Sequence, residues 1–384
     1  MQLPEVPKPQ RIPAISPSIY EAAKACKAKA VWARFGNTQH TIDTPNALIG
    51  TAFHKVMELA GSGKLPEGDA GRIAARHAFD DEAQRMFQRT HPLLRAKYPS
   101  TTHLPNYFLQ RERALTVALT FVPTAAHTLS SPRAQGAAHS TQAAEQTLTS
   151  ADGKLKGKID WLNTAEHEIV DYKTGVSFEG QRDQVSDRER RQLSLYAYLA
   201  RQHGAVVQKG TIIRSNGRRC SIAISMEQAD SLANEARGIL DDYNLAVANG
   251  ADFDELGQPS KEACWFCPCI PFCTQFWQAN KNGWPEYQGF GWHIQGTVSQ
   301  ISSADIQGLQ VVTIILTNCL GTDIPPNGTV TLQQVPTTWI SPDPVDMPKS
   351  GDVIRIVHAR KAHPARNDVF RADKALSTVW HVSP

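Results

Sequence analysis

Gly157-Lys158-Ile159-Asp160, then Asp171-Tyr172-Lys173-Thr174, then Gln192-Leu193-Ser194-Leu195-Tyr196 decide how this chain folds. Residues 169–173 open on β-branched apolar residues and then alternate, the pattern of a strand. On a strand, residues i and i+2 share a face. Asp171 and Lys173 therefore project together, and Tyr172 turns away. Residues 154–162 alternate as well, and Gly157 within them marks a bend or a close backbone approach. The short link between the two stretches holds Glu166 and Glu168 around His167 as a polar turn. Two adjacent antiparallel strands are expected, with Asp160 beside Asp171. Residues 187–201 carry apolar side chains at helical spacing, so Gln192 and Tyr196, one turn apart, share a helix face.

Two close carboxylates bind a hard divalent cation such as Mg²⁺ or Mn²⁺ through oxygen. Such an ion polarises a phosphate and acidifies a bound water. Lys173 then stands where negative charge grows, and Gln192 and Tyr196 would wall the site against substrate or lysine. Taken singly, D-x-K on a strand is usually a solvated ion pair and Q-x-x-x-Y is commoner still; order and spacing carry the reading. Upstream, residues 50–59 read as an amphipathic helix with His54 and Glu58 on one face. A neutral imidazole can ligate a metal or hold its water. Alone, His54 reads as a histidine paired to Glu58. Beside two acids and a lysine it is a further ligand candidate, with Glu58 as its orienting partner.

Seven cysteines are present, four of them within Cys264-Trp265-Phe266-Cys267-Pro268-Cys269-Ile270-Pro271-Phe272-Cys273. No secretory signal or membrane-spanning run is expected. In a cytoplasmic chain, clustered cysteines favour metal over disulfides. Zinc could take Cys264, Cys267, Cys269 and Cys273; an iron–sulfur cluster could take Cys264, Cys267 and Cys273 with a distant fourth ligand, for which Cys26 is the candidate. Cys26 is expected on a helix opened by Pro17 and a capping box from Ser18 to Glu21. Closing so long a loop would staple the first helix to the end of the unit. Spacing leaves zinc and iron–sulfur open. Cys220 and Cys319 read as small apolar fillers.

These motifs together resemble a RecB-like member of the PD-(D/E)xK nuclease superfamily, in the iron–sulfur branch that includes AddB and the CRISPR-associated RecB-like exonucleases. The resemblance covers roughly residues 14–280. It runs through Ser16-Pro17-Ser18 with Cys26, Gly50 to His54, Gly157 to Asp160, Asp171 to Thr174, Gln192 to Tyr196, and Cys264, Cys267 and Cys273. It implies a restriction-endonuclease-like mixed α/β core flanked by helices, and a metal-dependent DNA exonuclease acting on single strands or ends. Asp160, Asp171 and His54 would hold Mg²⁺ or Mn²⁺ with the backbone carbonyl of Tyr172. Lys173 would be the catalytic lysine, and Gln192 and Tyr196 would contact DNA or organise the site. Cys26, Cys264, Cys267 and Cys273 would ligate a 4Fe-4S cluster, with zinc as runner-up. Ile159 stands where the superfamily's name has proline. Cys269 is an extra thiol inside the cluster motif, and Glu145 is a weak further acid.

The chain has 384 residues and a net charge of +3, too mild to argue for nucleic acid by itself. Residues 61–135 read as a helical insertion, with helices at 73–88 and 107–121. Ser225 and Gln228 form a capping box for a helix over 225–248, stopped at Gly250. Pro285, Gly289 and Gly291 mark a boundary, which divides the chain into a nuclease-like unit, 1–288, and a second unit, 289–384. In the latter, about five strands (292–301, 309–316, 329–335, 352–358 and 369–382) suggest a small OB-like β-barrel. Its last strands carry Arg355, His358, Arg360, Lys361, His363, Arg366, Arg371 and Lys374, a basic face for single-stranded DNA; the competing use is protein docking with solvated arginines. A catalytically silent single-stranded-DNA-binding or scaffold subunit is the rival reading of the whole. No G-x-x-x-x-G-K-S/T phosphate loop occurs, so unwinding would come from a helicase or other complex subunit.

Overall fold

The computed structural model describes residues 1–36, 44–121, 142–175, 184–281, 291–321, 324, 328–363 and 365–382. The chain opens with α1 (Pro17–Ala25) and α2 (Lys27–Phe35). The cap of α1 is Ser16, whose hydroxyl accepts from the Ile19 amide, not the expected Ser18. Proline at the first helical position has no amide to satisfy, which fixes the start two residues earlier. Cys26 is not inside a helix; its extended backbone (φ −167°, ψ 123°) is the break between α1 and α2.

Then come α3 (Pro45–Gly61), α4 (Gly68–Arg89), α5 (Pro92–Lys97) and α6 (Tyr107–Phe121). These cover the expected histidine helix and helical insertion; the part of that insertion after residue 121 lies outside the described residues. Leu48, Phe53, Phe79, Leu115 and other side chains of α3, α4 and α6 share one buried cluster with Val170 and Tyr172. The insertion is therefore built onto one face of the sheet.

That sheet has five strands, β1 (Gln142–Thr149), β2 (Lys156–Asn163), β3 (Glu168–Lys173), β4 (Lys209–Arg214) and β5 (Arg219–Ala223), in that order. All neighbours are antiparallel except β3 and β4. A parallel pair needs a crossover, and α7 (Asp187–Gln202) supplies it. The helix starts at a capping box in which Ser186 and Glu189 satisfy each other's backbone amides. Glu168 is not part of the turn but the first residue of β3, buried beside the Lys209 ammonium at 3.0 Å. The opposite face packs Ile159, Ile169, Leu193, Leu199 and Ile212 with α1, α2 and α8 (Met226–Ala248). The short α9 (Lys261–Cys264) and α10 (Thr274–Lys281) flank the cysteine stretch.

A second sheet follows, with β6 (Trp292–Ile306), β7 (Leu309–Gly321), β8 (Gly328–Pro336), β9 (Val353–Lys361), β10 (Val369–Arg371) and β11 (Thr378–Val382). The expected last strand is two, split where Asp373 caps a turn by accepting from the amides of Ala375 and Leu376. The pairings β6–β7–β8–β10–β9–β6 form a cycle, with β8–β10 parallel. β11 pairs along the earlier part of the β9 edge whose end pairs with β10.

This sheet leans on the first unit. Val357 and Trp380 are buried with the α1–α2–α8 core. Arg355 donates to the Pro271 carbonyl at 2.8 Å and lies over the Trp277 ring. Lys97 of α5, 3% exposed, donates to the Ser377 carbonyl at 2.6 Å. Gln2 bridges to His381, whose amide donates to the Met1 carbonyl.

Candidate active site

The antiparallel β2–β3 hairpin pairs Trp161 with Val170, which sets Asp160 and Asp171 at its open end. Asp160 Oδ2 accepts from the Tyr172 amide at 2.9 Å, so one acid is tied to the backbone of the strand carrying the other. Lys173 and Asp171 project together as alternation requires: Lys173 Nζ lies 2.7 Å from Asp171 Oδ2. Tyr172 turns into the insertion's core.

From α7, Gln192 joins the array. Its amide nitrogen donates to Asp171 Oδ1 at 2.8 Å and to the Tyr196 hydroxyl at 3.0 Å, and its carbonyl oxygen accepts from Lys173 Nζ at 2.9 Å. Tyr196 thus fixes Gln192, which spans acid and lysine. Two features hold the helix at this height. Gly157 has no Cβ; one added there would lie 2.9 Å from Tyr196 Cε1 and from Leu199 Cδ1. Glu189 on α7 accepts from Arg214 of β4, with Nη2 to Oε2 at 3.0 Å, a largely buried charge-assisted pair.

α3 brings His54 to the other side, with Nδ1 3.6 Å from Asp160 Oδ2. Its helix approaches closely because a Cβ on Gly50 would meet Thr174 Oγ1 at 2.7 Å. The expected His54–Glu58 pair is not made: Glu58 accepts from Lys55 at 2.8 Å, and Asp160 is the carboxylate beside His54. The two carboxylates titrate apart. Burial, helped by the Asp160 charge, pushes Asp171 up to about 6 against the pull of Lys173. Burial is the largest influence on Asp160 and opposes its ionisation, but the His54 contact, the Tyr172 amide and the Lys173 charge together hold it below its ordinary value. His54 in turn is raised: burial lowers it, and Asp160 with the Asp171 charge together more than compensate.

Do these groups suit a divalent cation? Asp171 is 2% exposed, and its Oδ2 accepts no hydrogen bond of good geometry although the Lys173 ammonium is near. A buried carboxylate oxygen with spare lone pairs, beside a second carboxylate, is a hard-cation donor set. Among the described residues no three His, Cys, Asp or Glu side chains could cage an ion by themselves. A cation here would therefore complete its shell with water and phosphate oxygens, the usual habit of Mg²⁺.

Two cavities flank the array. One of about 540 Å³ is lined by His54, Lys55, Glu58, Glu82, Lys158 and Asp160. The other, of about 530 Å³, is lined by Lys156, Lys158, Lys173, Arg188, Gln192 and Tyr196 among others. Sequence reading passed over Lys156, Lys158 and Arg188. The signal was there in Lys156-Gly157-Lys158-Ile159-Asp160: both lysines alternate on the strand that carries Asp160, on the same face as it. The side chain of Glu145 lies outside the described residues.

The cysteines converge too. Cys26, Cys264, Cys267, Cys269 and Cys273 line one small cavity, and all are buried. Cys26 Sγ accepts from the Gln258 amide, so the first helices do close on the distant motif. Burial pushes Cys264 and Cys273 up to about 12. A hydrogen bond from Cys269 holds Cys267 down, to about 7. Thiols are the donors a thiophilic metal takes, but, as with the acids, no three of them among the described residues are set to hold an ion by themselves. The space left between them is about 10 Å³, room for about one water-sized sphere, so a four-iron cluster requires the loop to open. Cys220 and Cys319 are buried fillers away from this cavity.

Residues 14–274 match the family model described as the PD-(D/E)XK nuclease superfamily. The chain belongs to that superfamily. The PD-(D/E)XK match begins before α1, takes in the whole first sheet with α3 and α7, and ends just past Cys273. Members of the PD-(D/E)XK superfamily are usually nucleases, and they generally use Mg²⁺ or Mn²⁺. No curated protein matches the chain. Among solved structures, one titled "Crystal structure of SSO0001" aligns at 11% identity over 66% of this chain and 95% of that one; its TM-score of 0.25 is too low to carry the fold. No described helix of this PD-(D/E)XK chain is long and apolar enough to cross a membrane.

Proposed function

We propose that the chain is a RecB-like DNA exonuclease acting on single strands or strand ends, with Asp160, Asp171, His54 and the Tyr172 carbonyl holding Mg²⁺ or Mn²⁺. The observation that supports this best is the unbroken array from His54 through Asp160, and from Asp171 through Lys173 and Gln192 to Tyr196. When bound, the cation supplies charge neutralisation and an acidified water. Lys173 offers its protons to a phosphate oxygen as charge builds there. Gln192 keeps Lys173 and Asp171 in register. His54 steadies Asp160 in its ionised form. Purified protein with Mn²⁺ should shorten end-labelled single-stranded DNA, and Lys173→Ala should abolish this while leaving binding. A wild type that binds DNA but never cuts it under any metal would hand the case to a silent binding or scaffold subunit.

The division at 289 is proposed on the separate second sheet and its own core of Ile294, Leu316, Val330 and Ile356. Its cyclic strand pairing, with the parallel β8–β10 contact, supports an OB-like barrel. The basic face reads differently once partners are known. Arg360 pairs with Asp373 and Arg366 with Asp368, both at 2.7 Å. Lys374 lies over the Tyr98 ring, and Arg355 is used against the cysteine loop. These contacts favour docking over single-strand binding for this unit. Any helicase or other subunit would join from outside the chain.

For the cysteines we propose a metal staple. The family resemblance favours a 4Fe-4S cluster on Cys26, Cys264, Cys267 and Cys273; the small cavity and the fifth thiol, Cys269, keep zinc as its rival. Anaerobically purified protein that is brown supports iron–sulfur, and colourless protein with stoichiometric zinc overturns it.

A further inference from the structure

The two cavities beside the acidic array are unlike in charge. The first mixes Lys55 and Lys158 with Glu58, Glu82 and Asp160. The second holds Lys156, Lys158, Lys173 and Arg188 against a single acid, Glu21. That acid is already neutralised, since Arg191 donates to both its oxygens at 2.7 and 2.8 Å. Lys158 lines both cavities, so they adjoin at β2.

The positions are built by the fold. Lys156 and Lys158 are exposed and stand two residues apart on β2, about 6.7 Å along the strand. Asp160 is two residues further on the same strand. Arg188 projects from the first turn of α7, the helix whose later turns hold Gln192 and Tyr196. Cations thus run in file toward the acids from one side only.

We infer that the second cavity is a phosphate-binding track, in which Lys156, Lys158 and Arg188 grip the nucleic-acid strand adjoining the bond to be cut. The inference rests on the nuclease reading above and deepens it by naming the side from which the strand enters. Cations remote from the reacting phosphate bind ground and transition states alike, so they lower KM and leave kcat unchanged. Each phosphate neutralised on a single strand contributes about 0.7 to the slope of log affinity against log salt.

The test is salt-dependent binding of a fluorescent single-stranded oligonucleotide to the full chain in EDTA, where no cutting occurs. Wild type is compared with Lys156→Ala/Arg188→Ala and with the control Lys349→Ala, an exposed lysine in the turn before β9. Both replaced side chains of the double variant are exposed, so its fold should survive; an unchanged thermal unfolding midpoint verifies this. The double variant should bind at least 10-fold more weakly near 0.1 M salt, and its slope should fall by about 1.4, two contacts at the single-strand value. With Mn²⁺ its KM should rise at constant kcat, and the control should match wild type. A wild type that binds and cuts, with a double variant of identical slope, overturns the track and leaves the nuclease reading standing. A wild type that neither binds nor cuts overturns both. A fall in kcat at constant KM would also overturn the track, because it would move these cations into the chemical step.

Discussion

Replacing Asp171 by asparagine should stabilise the metal-free protein at pH 8. Burial raises the carboxyl from 3.8 to about 6. At 2% exposure no solvent screens it, so the ionised form costs the fold on the order of 3 kcal/mol once both states are charged. A group raised on folding contributes most below its unfolded value and loses that contribution as pH climbs through the folded one. Wild type in EDTA should therefore weaken from about pH 4 to above pH 6, with roughly half of the loss between pH 5 and 8. His54 is raised as well, and its share declines in the same direction in both proteins. Asparagine removes the Asp171 share. It also removes the ion pair to Lys173, but that ammonium is about a third exposed and keeps Gln192 Oε1. A net gain of about 1–3 kcal/mol at pH 8 should remain and close toward pH 4. Thermal unfolding of both proteins across this range is the assay. Mg²⁺ at about 100 times its Kd should then raise wild type by about 2.7 kcal/mol and leave the variant unmoved. A gap that stays constant with pH, or a variant less stable than wild type at pH 8, would refute the idea that Asp171 is a destabilised acid waiting for a cation.

Three further outcomes are expected. Gln192→Leu should cost about 1–3 kcal/mol, because it leaves Asp171 Oδ1 buried without its donor, and it should lower kcat more than it raises KM; activity and urea unfolding measured together check this. Lys97→Met should raise the unfolding midpoint at pH 7 and lose that advantage by about pH 10. Burial lowers the Lys97 ammonium to about 7, so the folded state pays increasingly as pH falls from 10.5 toward that value, and methionine does not. Trp380→Ala should cost about 3–5 kcal/mol and split one melting transition into two, as the second sheet loses its hold on the α1–α2–α8 core; differential scanning calorimetry would show it.

The elements around the array were legible because local rules and tertiary demand agree there. Alternation gave Asp171 and Lys173 one face, the i, i+4 rule brought Gln192 to Tyr196, and Gly157 was a close approach as read. Three things were hidden. His54 meets Asp160 instead of Glu58, since the choice between a helical neighbour and a strand 106 positions on belongs to packing. Part of the basic face of the second sheet is tied up in ion pairs, since Arg360 finds Asp373 across a turn that only the fold closes. Strands β4 and β5 carry no motif, and they matter here only because β4 needs α7 as its crossover.

Because Gln2 bridges to His381 and Cys26 lines the same cavity as Cys273, early-made segments are completed by much later ones. At about 5–20 residues per second, the amino-terminal segment waits on the order of 20–80 s on the ribosome before its closing strand emerges. During that interval Met1 and Ile12, buried in the finished protein, are uncovered. Nascent chains arrested before residue 264 should accordingly be the ones that chaperones hold.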